Sequence, residues 1–491
     1  MAHKQPRRAQ AGLCMLHVKP RGFPMNADIG GAPPQTSVPA ARRAIVIGAS
    51  LAGLLAARML SEHFDEVVLF ERDELPEVAG PRKGTPHAIH PHGLLARGRQ
   101  LIEEFFPGFT AALVARGALT ADIGLNVAFD INRTRLARTK MGVLLLAASR
   151  FAIEGEIRRR MRTRPGVVFR TGCDVVSPQH QSGRVSGVRY RAAGRGDEAL
   201  TLDAALVVDA SGRGSRAPAW LREWGYDAVR EERVTVNICY ASAYFRRDPT
   251  QVPEWVGIIG GSSLDLPCPA ALIAQEPDAS GQARWVLVLG GYGGDHFPVT
   301  IEAMHERAVA IGAQEIAALT YADQLIGAPF RYMFVHNQRR RYAALRRFPD
   351  GFIVFGDAIA SFNPIYGQGM TVASCQALAL REALQGGMTG LAQRFFRAAD
   401  KAIATPWALA VGGDLALPQV QGKRPPGLSL INGFVAKVQR AAVDDPALAA
   451  AFLRVLHMLA GPTSLLAPGI LWRLLRHRPA SSARPVAAAQ A

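Results

Sequence analysis

The chain has 491 residues, of which 49% are hydrophobic and 20% are charged, and its formal net charge is +17. This length allows two or three domains with large cores, and the composition excludes a disordered or fibrous chain. The positive charge is mostly arginine spread along the sequence. It therefore favours a solvated basic surface and anionic cofactors over nucleic-acid binding.

The five cysteines are scattered and never paired as C-x-x-C. This pattern indicates a reducing compartment, which we predict to be the cytoplasm, without a disulfide framework or a zinc site. No uncharged apolar run reaches the roughly 18 residues that a membrane span requires. Residues 1–41 lack periodicity and are predicted to be a disordered extension or an over-long start.

The first motif is a strand–turn–helix–strand unit. An apolar run ends at Gly48, a helical pattern follows Gly53, and a second apolar run ends at Glu71, 23 residues after Gly48. Gly48 permits a tight turn and Gly53 lets the helix lie close to the strand, while Glu71 suits a ribose hydroxyl. The helix N-terminus favours a pyrophosphate, to which the unusual Ser50 can donate. The unit predicts a dinucleotide site, FAD or NAD(P), with a structural βαβ turn as the alternative.

A loop over residues 81–93 contains Arg82 and three histidines, His87, His90 and His92. A metal site is the less favoured interpretation, because no cysteine or carboxylate stands beside the histidines and two prolines fix the backbone. The favoured one is a loop lying over a cofactor, with Arg82 and Lys83 facing phosphate.

The middle of the chain alternates between helical and strand patterns. Helices are predicted over Leu94–Phe106 and Ser149–Arg164, a hairpin over Leu125–Ile131 and Val143–Leu146, and strands over Val167–Thr171, Arg184–Tyr190 and Ala205–Asp209. The last strand leads into a glycine-rich turn that begins with Asp209. Residues 233–345 are mainly strand-like, with one helix near Ile301–Leu319, and are predicted to form a separate β domain.

The second motif begins where a strand ends at Gly356-Asp357. The segment Asn363-Pro364-Ile365-Tyr366-Gly367-Gln368-Gly369-Met370 then enters a helix. An acid here can meet polyol hydroxyls, and a second helix N-terminus can stabilise another electron-rich group. A plain NAD dehydrogenase does not need this second site, whereas a reduced flavin ring carries negative charge that it can stabilise. The two motifs together predict FAD.

Over residues 42–390 the motifs resemble those of the FAD-dependent group A monooxygenases, the para-hydroxybenzoate hydroxylase superfamily. The Arg82-Lys83-Gly84-x-Pro86 loop, the Asp209-Ala210-Ser211-Gly212 turn and the Asn363–Met370 segment most resemble the bacterial branch with the polyether polyene epoxidases. Two positions depart from the pattern. Ala210 replaces the glycine of the middle Asp-Gly motif, and His87 replaces a glutamine of the epoxidase-like loop.

The resemblance implies an α/β fold: a discontinuous Rossmann-like FAD-binding domain of the GR2 type, an interleaved β-rich substrate domain and C-terminal helices. The predicted parts are residues 42–232 and 346–395 for the FAD domain, 233–345 with a contribution from 120–148 for the substrate domain, 396–478 for the helical region and 479–491 for a disordered tail.

The predicted cofactor-binding residues, for FAD and NAD(P)H, are Gly48, Ala49, Ser50, Gly53, Glu71, Arg72, Arg82, Arg150, Asp209, Gly356, Asp357, Pro364, Gly367, Gly369 and Met370. The resemblance implies that Asp357 bonds the ribityl chain, that backbone N–H groups of Gly369 and Met370 meet the flavin pyrimidine, and that Arg82 helps control flavin position and reduction. It places Arg150 near the cofactor. No metal ligand and no catalytic acid or base is assigned, and His90, His92 and Tyr366 remain candidates.

The implied reaction is the reduction of FAD by NAD(P)H, followed by transfer of one oxygen atom from O2 to an aromatic ring or an alkene. Several aromatic residues of the predicted substrate domain favour a hydrophobic substrate, namely Tyr240, Tyr244, Phe245, Trp255, Phe330, Tyr332 and Phe334. We therefore predict epoxidation or hydroxylation of a secondary metabolite.

Three alternatives remain: a reductase or dehydrogenase of the geranylgeranyl reductase type, a flavin halogenase and a non-enzymatic flavin-binding protein. The halogenase is disfavoured because no W-x-W-x-I-P segment is present. The amphipathic segment Leu465–Leu475 is predicted to cap the substrate domain, with contact to a membrane surface as the less favoured alternative.

Overall fold

The computed structural model describes residues 38–77, 80–131, 134–194, 198–248, 250, 255–260 and 263–477. The predicted terminal extension and tail lie outside these residues, except for residues 38–41, where the 3-10 helix Ala40–Arg42 begins. None of the helices in this described part of the chain has the length and apolar character that crossing a bilayer requires.

The strands run through most of the described chain. In order they are β1 (Arg43–Ile47), β2 (Glu66–Phe70), β3 (Leu119–Asp122), β4 (Val127–Ile131), β5 (Thr134–Arg135), β6 (Leu144–Ala147), β7 (Val167–Arg170), β8 (Cys173–Gln181), β9 (Arg184–Ala192), β10 (Leu200–Asp203), β11 (Leu206–Asp209), β12 (Glu231–Arg246), β13 (Gly257–Gly260), β14 (Ala270–Gln275), β15 (Arg284–Gly291), β16 (Leu325–Arg340), β17 (Phe352–Val354) and β18 (Ala360–Ser361).

The helices are most frequent toward the C-terminus. In order they are α1 (Leu51–Leu60), α2 (Ala96–Phe105), α3 (Phe109–Val114), α4 (Arg150–Arg162), α5 (Ala217–Glu223), α6 (Ile301–Ala310), α7 (Gln314–Leu319), α8 (Gly369–Gln385), α9 (Leu391–Asp414), α10 (Leu428–Ala441), α11 (Pro446–Leu456) and α12 (Pro468–Arg476).

The central sheet is parallel, with the strand order β17-β11-β1-β2-β7. Strands β1, β2, β11 and β17 are buried along their whole length, as expected for strands that are covered on both faces. Ile47 pairs with both Phe70 and Asp209, and Asp209 pairs with Val354. The carboxyl ends of four strands therefore meet at one edge of the sheet, where open α/β sheets bind their ligands.

The second large sheet has eight strands in the order β18-β16-β12-β15-β14-β13-β4-β5. The long strands β12 and β16 pair along most of their length, and β4 joins through a parallel pairing with β13. Three further strands, β8–β10, form a small antiparallel sheet.

The hairpin predicted from Leu125–Ile131 and Val143–Leu146 is wrong. Strand β4 pairs with β5 and β13, while β6 pairs with β3, with Leu119 opposite Ala147. The side chain of Asp122 accepts hydrogen bonds from the amides of Gly124, at 2.9 Å, and Gly142, at 2.7 Å. These bonds hold the chain that precedes β6 beside β3. Strand β6 therefore pairs with β3 and not with β4.

One predicted helix and one predicted domain boundary also differ from the structure. The helix expected near Ile301–Leu319 is two helices, α6 and α7, because Gly312 adopts a left-handed φ of +75° between them. The predicted boundary between residues 395 and 396 falls inside α9.

Strand β12 presents different side chains to its two faces, as the alternation of a strand requires. Ala241, Ala243 and Phe245 belong to a core cluster that includes residues of α6 and α7. On the other face, Ser242 and Tyr244 contact the loop that precedes α2. The second face therefore borders the candidate site.

Candidate functional site

The turn after β1 has the geometry that its glycines predict. Gly48 adopts a φ of +98°, and a Cβ atom there would lie 2.7 Å from the carbonyl oxygen of Ala210. A Cβ atom on Gly53 would lie 1.8 Å from the carbonyl oxygen of Gly48. The helix therefore packs directly on the turn, and no larger residue fits at Gly53 without a backbone shift.

Glu71 directly follows the neighbouring strand β2 and is tied to this turn. Its Oε2 atom accepts a 2.9 Å hydrogen bond from the Ala49 amide. Ser50 precedes α1, but its hydroxyl does not cap the helix and instead accepts a 2.6 Å hydrogen bond from Arg82. Arg72 is exposed immediately after Glu71.

Arg82 lies among three acids beside the N-terminus of α1. Its guanidinium is 3.1 Å from Glu71, 3.5 Å from Asp73 and 2.9 Å from Glu154, and its side chain is only 5% exposed. Burial lowers its pKa, but the three carboxylates outweigh this effect and leave the pKa raised. Glu154 also accepts a 3.3 Å hydrogen bond from the Leu51 amide. A carboxylate thus already occupies part of the anion-binding end of α1.

Asp209 is fully buried at the end of β11. Its carboxylate accepts hydrogen bonds from the Ser211 amide, at 3.0 Å, and from the hydroxyls of Ser211 and Ser215, at 2.5 and 2.6 Å. Burial raises its pKa, while these donors and Arg340 oppose the rise. The side chain therefore shapes its own turn, directly beside the turn of Gly48.

Asp357 follows β17 at the same edge. It is exposed to solvent, yet the surrounding protein is dense enough to raise its pKa by desolvation, which Arg150 and Arg213 partly oppose. Gly356 before it has a φ of +69°, and a Cβ there would lie 2.7 Å from Ala52.

The N-terminus of α8 lacks a side-chain cap. Its N-cap residue, Gln368, is 2% exposed, and its Oε1 atom has no hydrogen-bond donor among the described residues. Gly367 has a φ of +61°, and a Cβ there would lie 3.4 Å from the Cα of Gly93. Uncapped N–H groups and an unsatisfied acceptor together suit a flavin pyrimidine, which offers both kinds of partner.

The histidine loop is held against α4 by Arg150. Its Nη1 atom is 2.6 Å from Nε2 of His87 and 3.3 Å from Nε2 of His92. Since Arg150 can only donate, both nitrogens must be acceptors. Nδ1 of His92 is 2.7 Å from the His90 carbonyl and therefore carries the proton.

All three histidines are poor bases in this environment. Burial lowers the pKa of His87 to about 3 and of His90 to about 4, and it lowers that of His92 well below its usual value. The Arg150 charge adds to the effect on His87 and His92. The three histidine side chains are therefore neutral at physiological pH. The described residues contain no group of three or more His, Cys, Asp or Glu that could hold a metal ion.

His90 connects the loop to the large sheet. Its Nδ1 atom is 2.7 Å from the Ser242 hydroxyl, and its ring centroid lies 4.9 Å from that of Phe330 and 5.5 Å from that of Tyr332. Tyr244 donates a 2.7 Å hydrogen bond to the Ile89 carbonyl. This aromatic face is thus joined to the loop whose Arg82 reaches the turn of α1.

The Asn363–Met370 segment is anchored by a buried acid, Asp414, at the end of α9. Its carboxylate accepts hydrogen bonds from Tyr292 and Tyr366, both at 2.9 Å, and from Asn337 and Asn363, at 2.6 and 3.0 Å. Burial raises its pKa, while these four donors oppose the rise.

Two further hydrogen bonds tie the same segment to the large sheet. Tyr240 donates to the Asn363 side chain, and its oxygen accepts a 3.2 Å hydrogen bond from the Ile365 amide. The hydrogen bond from Tyr366 to Asp414 fixes the position of Tyr366, which the sequence analysis named as a candidate catalytic residue.

Sequence reasoning missed Glu154, Arg213 and Asp414. One signal for Asp414 was present, since it is the only charged residue between positions 402 and 422. A lone acid in an apolar helix indicates a buried carboxylate with dedicated partners. Of the predicted aromatic residues, Phe245 and Trp255 belong to the core cluster that includes residues of α6 and α7, and not to the site.

Comparison with known proteins places the chain in a family. It is 37% identical to Protein Rv3254 of Mycobacterium tuberculosis over 459 residues, which is 88% of this chain and 93% of that protein. The chain belongs to the Rv3254 family. It is also 25% identical to a kynurenine 3-monooxygenase of Salinispora arenicola, over 70% of this chain and 72% of that protein. No general family model matches the sequence.

Among solved structures, the chain resembles the p-nitrophenol 4-monooxygenase PnpA of Pseudomonas putida DLL-E4. The TM-score is 0.59 at 16% identity, with 86% of this chain and 99% of that chain covered. A flavoprotein/dehydrogenase of Cytophaga hutchinsonii gives the same TM-score and identity, over 84% and 92% of the two chains. The predicted mixed α/β fold of FAD-binding monooxygenases is thus confirmed for this member of the Rv3254 family.

Proposed function

We propose that this chain is an FAD-dependent monooxygenase that uses NAD(P)H and O2 to place one oxygen atom on a small hydrophobic molecule. The observation that carries the proposal is the convergence of two cofactor-type motifs at one sheet edge. The Gly48 turn follows β1 and Glu71 follows β2, while Asp357 follows β17 and precedes the uncapped α8, so both motifs lie at the carboxyl edge of the same parallel sheet.

The proposed FAD site uses the predicted residues in two groups. The ADP half would be held by Gly48, Ala49, Ser50, Gly53 and Glu71, with Arg72, Arg82 and Asp209 around them. The flavin half would be held by Arg150, Gly356, Asp357, Pro364, Gly367, Gly369 and Met370. Bound FAD would supply the redox and oxygen-transfer chemistry, while the protein binds and orients the substrate and excludes water.

The relatives support oxygenation as the reaction class. Both the Salinispora relative and the Pseudomonas structure are named as monooxygenases. The aromatic face of Phe330, Tyr332 and Tyr244 beside the loop supports a largely apolar substrate.

The histidine loop favours a substrate that needs no deprotonation. A general base works best when its pKa is near the operating pH. His87 and His90, with pKa values of about 3 and about 4, are far below that range. An alkene requires no base, whereas a phenol usually does. This supports epoxidation or base-free hydroxylation, and we propose a polyketide-like or isoprenoid-like secondary metabolite.

The test is turnover of the FAD-loaded protein with a panel of apolar alkenes and aromatics under 18O2. We expect substrate-stimulated NAD(P)H oxidation and one labelled oxygen atom in the product. Oxygen-independent reduction or formation of C=C bonds would instead support a reductase of the geranylgeranyl reductase type. Turnover restricted to small charged phenols would contradict the proposed substrate class.

A further inference from the structure

Helix α12 has an apolar face that points outward. Leu471, Trp472 and Leu475 are 36%, 57% and 76% exposed, and helical geometry places them within about 100° of each other around the axis. Leu474, on another side, is 4% exposed and packs in the C-terminal core cluster. One side of α12 is thus anchored in the protein, while a second side is apolar and exposed.

Other residues of the same C-terminal helical region share this character. Leu466, just before α12, is 53% exposed, and Leu430 and Ile431 at the start of α10 are 79% and 60% exposed. We call these six residues, Leu430, Ile431, Leu466, Leu471, Trp472 and Leu475, the C-terminal apolar set. Single exposed apolar residues are ordinary, but three on one face of α12 indicate a binding surface, and α10 and the turn that ends at Leu466 pack beside that helix.

The charge of this region is strongly positive. Residues 415–491 contain nine Lys or Arg and two Asp, a net charge of +7 out of +17 for the whole chain. Both acids are already paired, Asp445 with Arg473 at 2.9 Å and Asp444 with His477 at 3.2 Å. Exposed cations of this region, such as Lys437, Arg440 and Arg476, can therefore face an anionic partner.

Cation and aromatic ring also occur together at this surface. The Arg476 guanidinium lies 4.4 Å above the Trp472 ring. Lys437 and Arg440 of α10 are exposed as well. Exposed leucines, a tryptophan and flanking basic side chains form the composition that binds the headgroup boundary of a bilayer.

We propose that the C-terminal apolar set docks on the surface of an anionic membrane. Leu471, Trp472 and Leu475 would enter the acyl boundary, while Arg476 and neighbouring cations would meet lipid phosphates. A nucleic acid offers no apolar phase for these leucines. Docking would bring the enzyme to the phase in which an apolar substrate of the proposed kind concentrates, but the surface itself does not depend on that function.

The experiment is co-sedimentation of the full chain with phosphatidylcholine vesicles that contain or lack phosphatidylglycerol. We expect binding to the anionic vesicles that weakens with added salt. The double variant W472S/L475S should lose binding roughly tenfold or more, because both apolar contacts are removed. The matched control L264S/Y321S changes two residues that are 64% and 52% exposed elsewhere, and should bind like the wild type.

Thermal unfolding verifies the fold of each variant, since all four side chains are exposed. The proposal is overturned if the wild type ignores anionic vesicles or if W472S/L475S binds them as well as the wild type. It is equally overturned if W472S/L475S leaves vesicle binding unchanged and only lowers the oligomer size in gel filtration. The apolar face of α12 would then pair with a second copy of the chain.

Discussion

At the level of single residues, Asp357 should dominate flavin affinity. Its carboxylate is influenced by the charges of Arg150 and Arg213 at the carboxyl edge of the sheet, and a hydrogen bond to a charged group contributes roughly 1.5–3 kcal/mol. Asp357→Ala should therefore weaken FAD binding roughly 10- to 100-fold, measured by flavin fluorescence during reconstitution. Asp350→Ala is the control, because Asp350 is also exposed but precedes β17, whereas Asp357 follows it. Equal affinities of the two variants would remove Asp357 from the site.

Arg82 is expected to act on FAD binding as much as on reduction. The sequence alone predicts that Arg82→Ala slows anaerobic reduction by NAD(P)H far more than it weakens FAD binding. In the structure, however, Arg82 contacts Glu71 and Ser50 and neutralises Glu154. Its removal leaves the buried Glu71 without this cation and leaves Glu154 with only Arg150 and Arg158, at 3.7 and 3.6 Å, which is costly.

We therefore expect Arg82→Ala to lower FAD affinity together with the reduction rate. Arg82→Ala/Glu154→Gln should recover part of the affinity, because one of the two buried negative charges that Arg82 contacted is then removed. Stopped-flow reduction and FAD titration of both variants test this. A normal FAD affinity in Arg82→Ala would restore the sequence-based expectation.

At the level of elements, the contact between α1 and the turn of Gly48 leaves no room for a side chain. Gly53→Ala would place a Cβ 1.8 Å from the Gly48 carbonyl oxygen. We expect a loss of roughly 1–3 kcal/mol in unfolding free energy, because the backbone must shift. A Cβ atom on Gly433 in α10 would have no atom within 4 Å except those of its chain neighbours and its own helix backbone. Gly433→Ala should instead stabilise by about 0.4–1 kcal/mol. Chemical denaturation of both variants measures the contrast.

Helix α9 reaches the site through Asp414. Asp414→Asn would replace one acceptor oxygen by a donor that faces Tyr292, Tyr366, Asn337 or Asn363. We expect about 1–3 kcal/mol of destabilisation and weaker FAD binding, since the Asn363–Met370 segment loses its anchor. Asp444→Asn, at an exposed pair, should change neither property. A normal FAD affinity in Asp414→Asn would show that the network only stabilises the fold.

At the level of the whole molecule, the features that could be predicted from the sequence are those that short sequence patterns determine. The Gly48 turn, Glu71 and Gly356-Asp357 stand at strand ends, so a parallel sheet necessarily brings them to one edge. The pairing of β4 with β13 and the bonds of Asp414 to four distant residues depend on long-range geometry. Local alternation carries no information about which strand will be the partner, and this is why the predicted hairpin failed.

The acid stability of the whole molecule should depend on His457. This residue joins the end of α11 to the start of α2, where Nδ1 accepts a 3.3 Å hydrogen bond from the Ala96 amide. It is 3% exposed, and burial lowers its pKa from 6.5 to about 4. Between these pH values the unfolded chain binds a proton that the folded chain does not bind. Stability therefore falls as the pH falls through this window and is unaffected above it.

The contribution of His457 reaches up to roughly 3 kcal/mol at pH 4. Asp209, Asp357 and Asp414, whose pKa values are raised, act in the opposite direction, so the difference between variants is the quantity to measure. His457→Gln keeps an acceptor for the Ala96 amide but does not titrate, and its unfolding free energy should decline less between pH 6.5 and 4. His63→Gln, at an exposed site, should follow the wild type. Parallel curves for His457→Gln and the wild type in urea denaturation would show that the imidazole does not stay neutral in the fold.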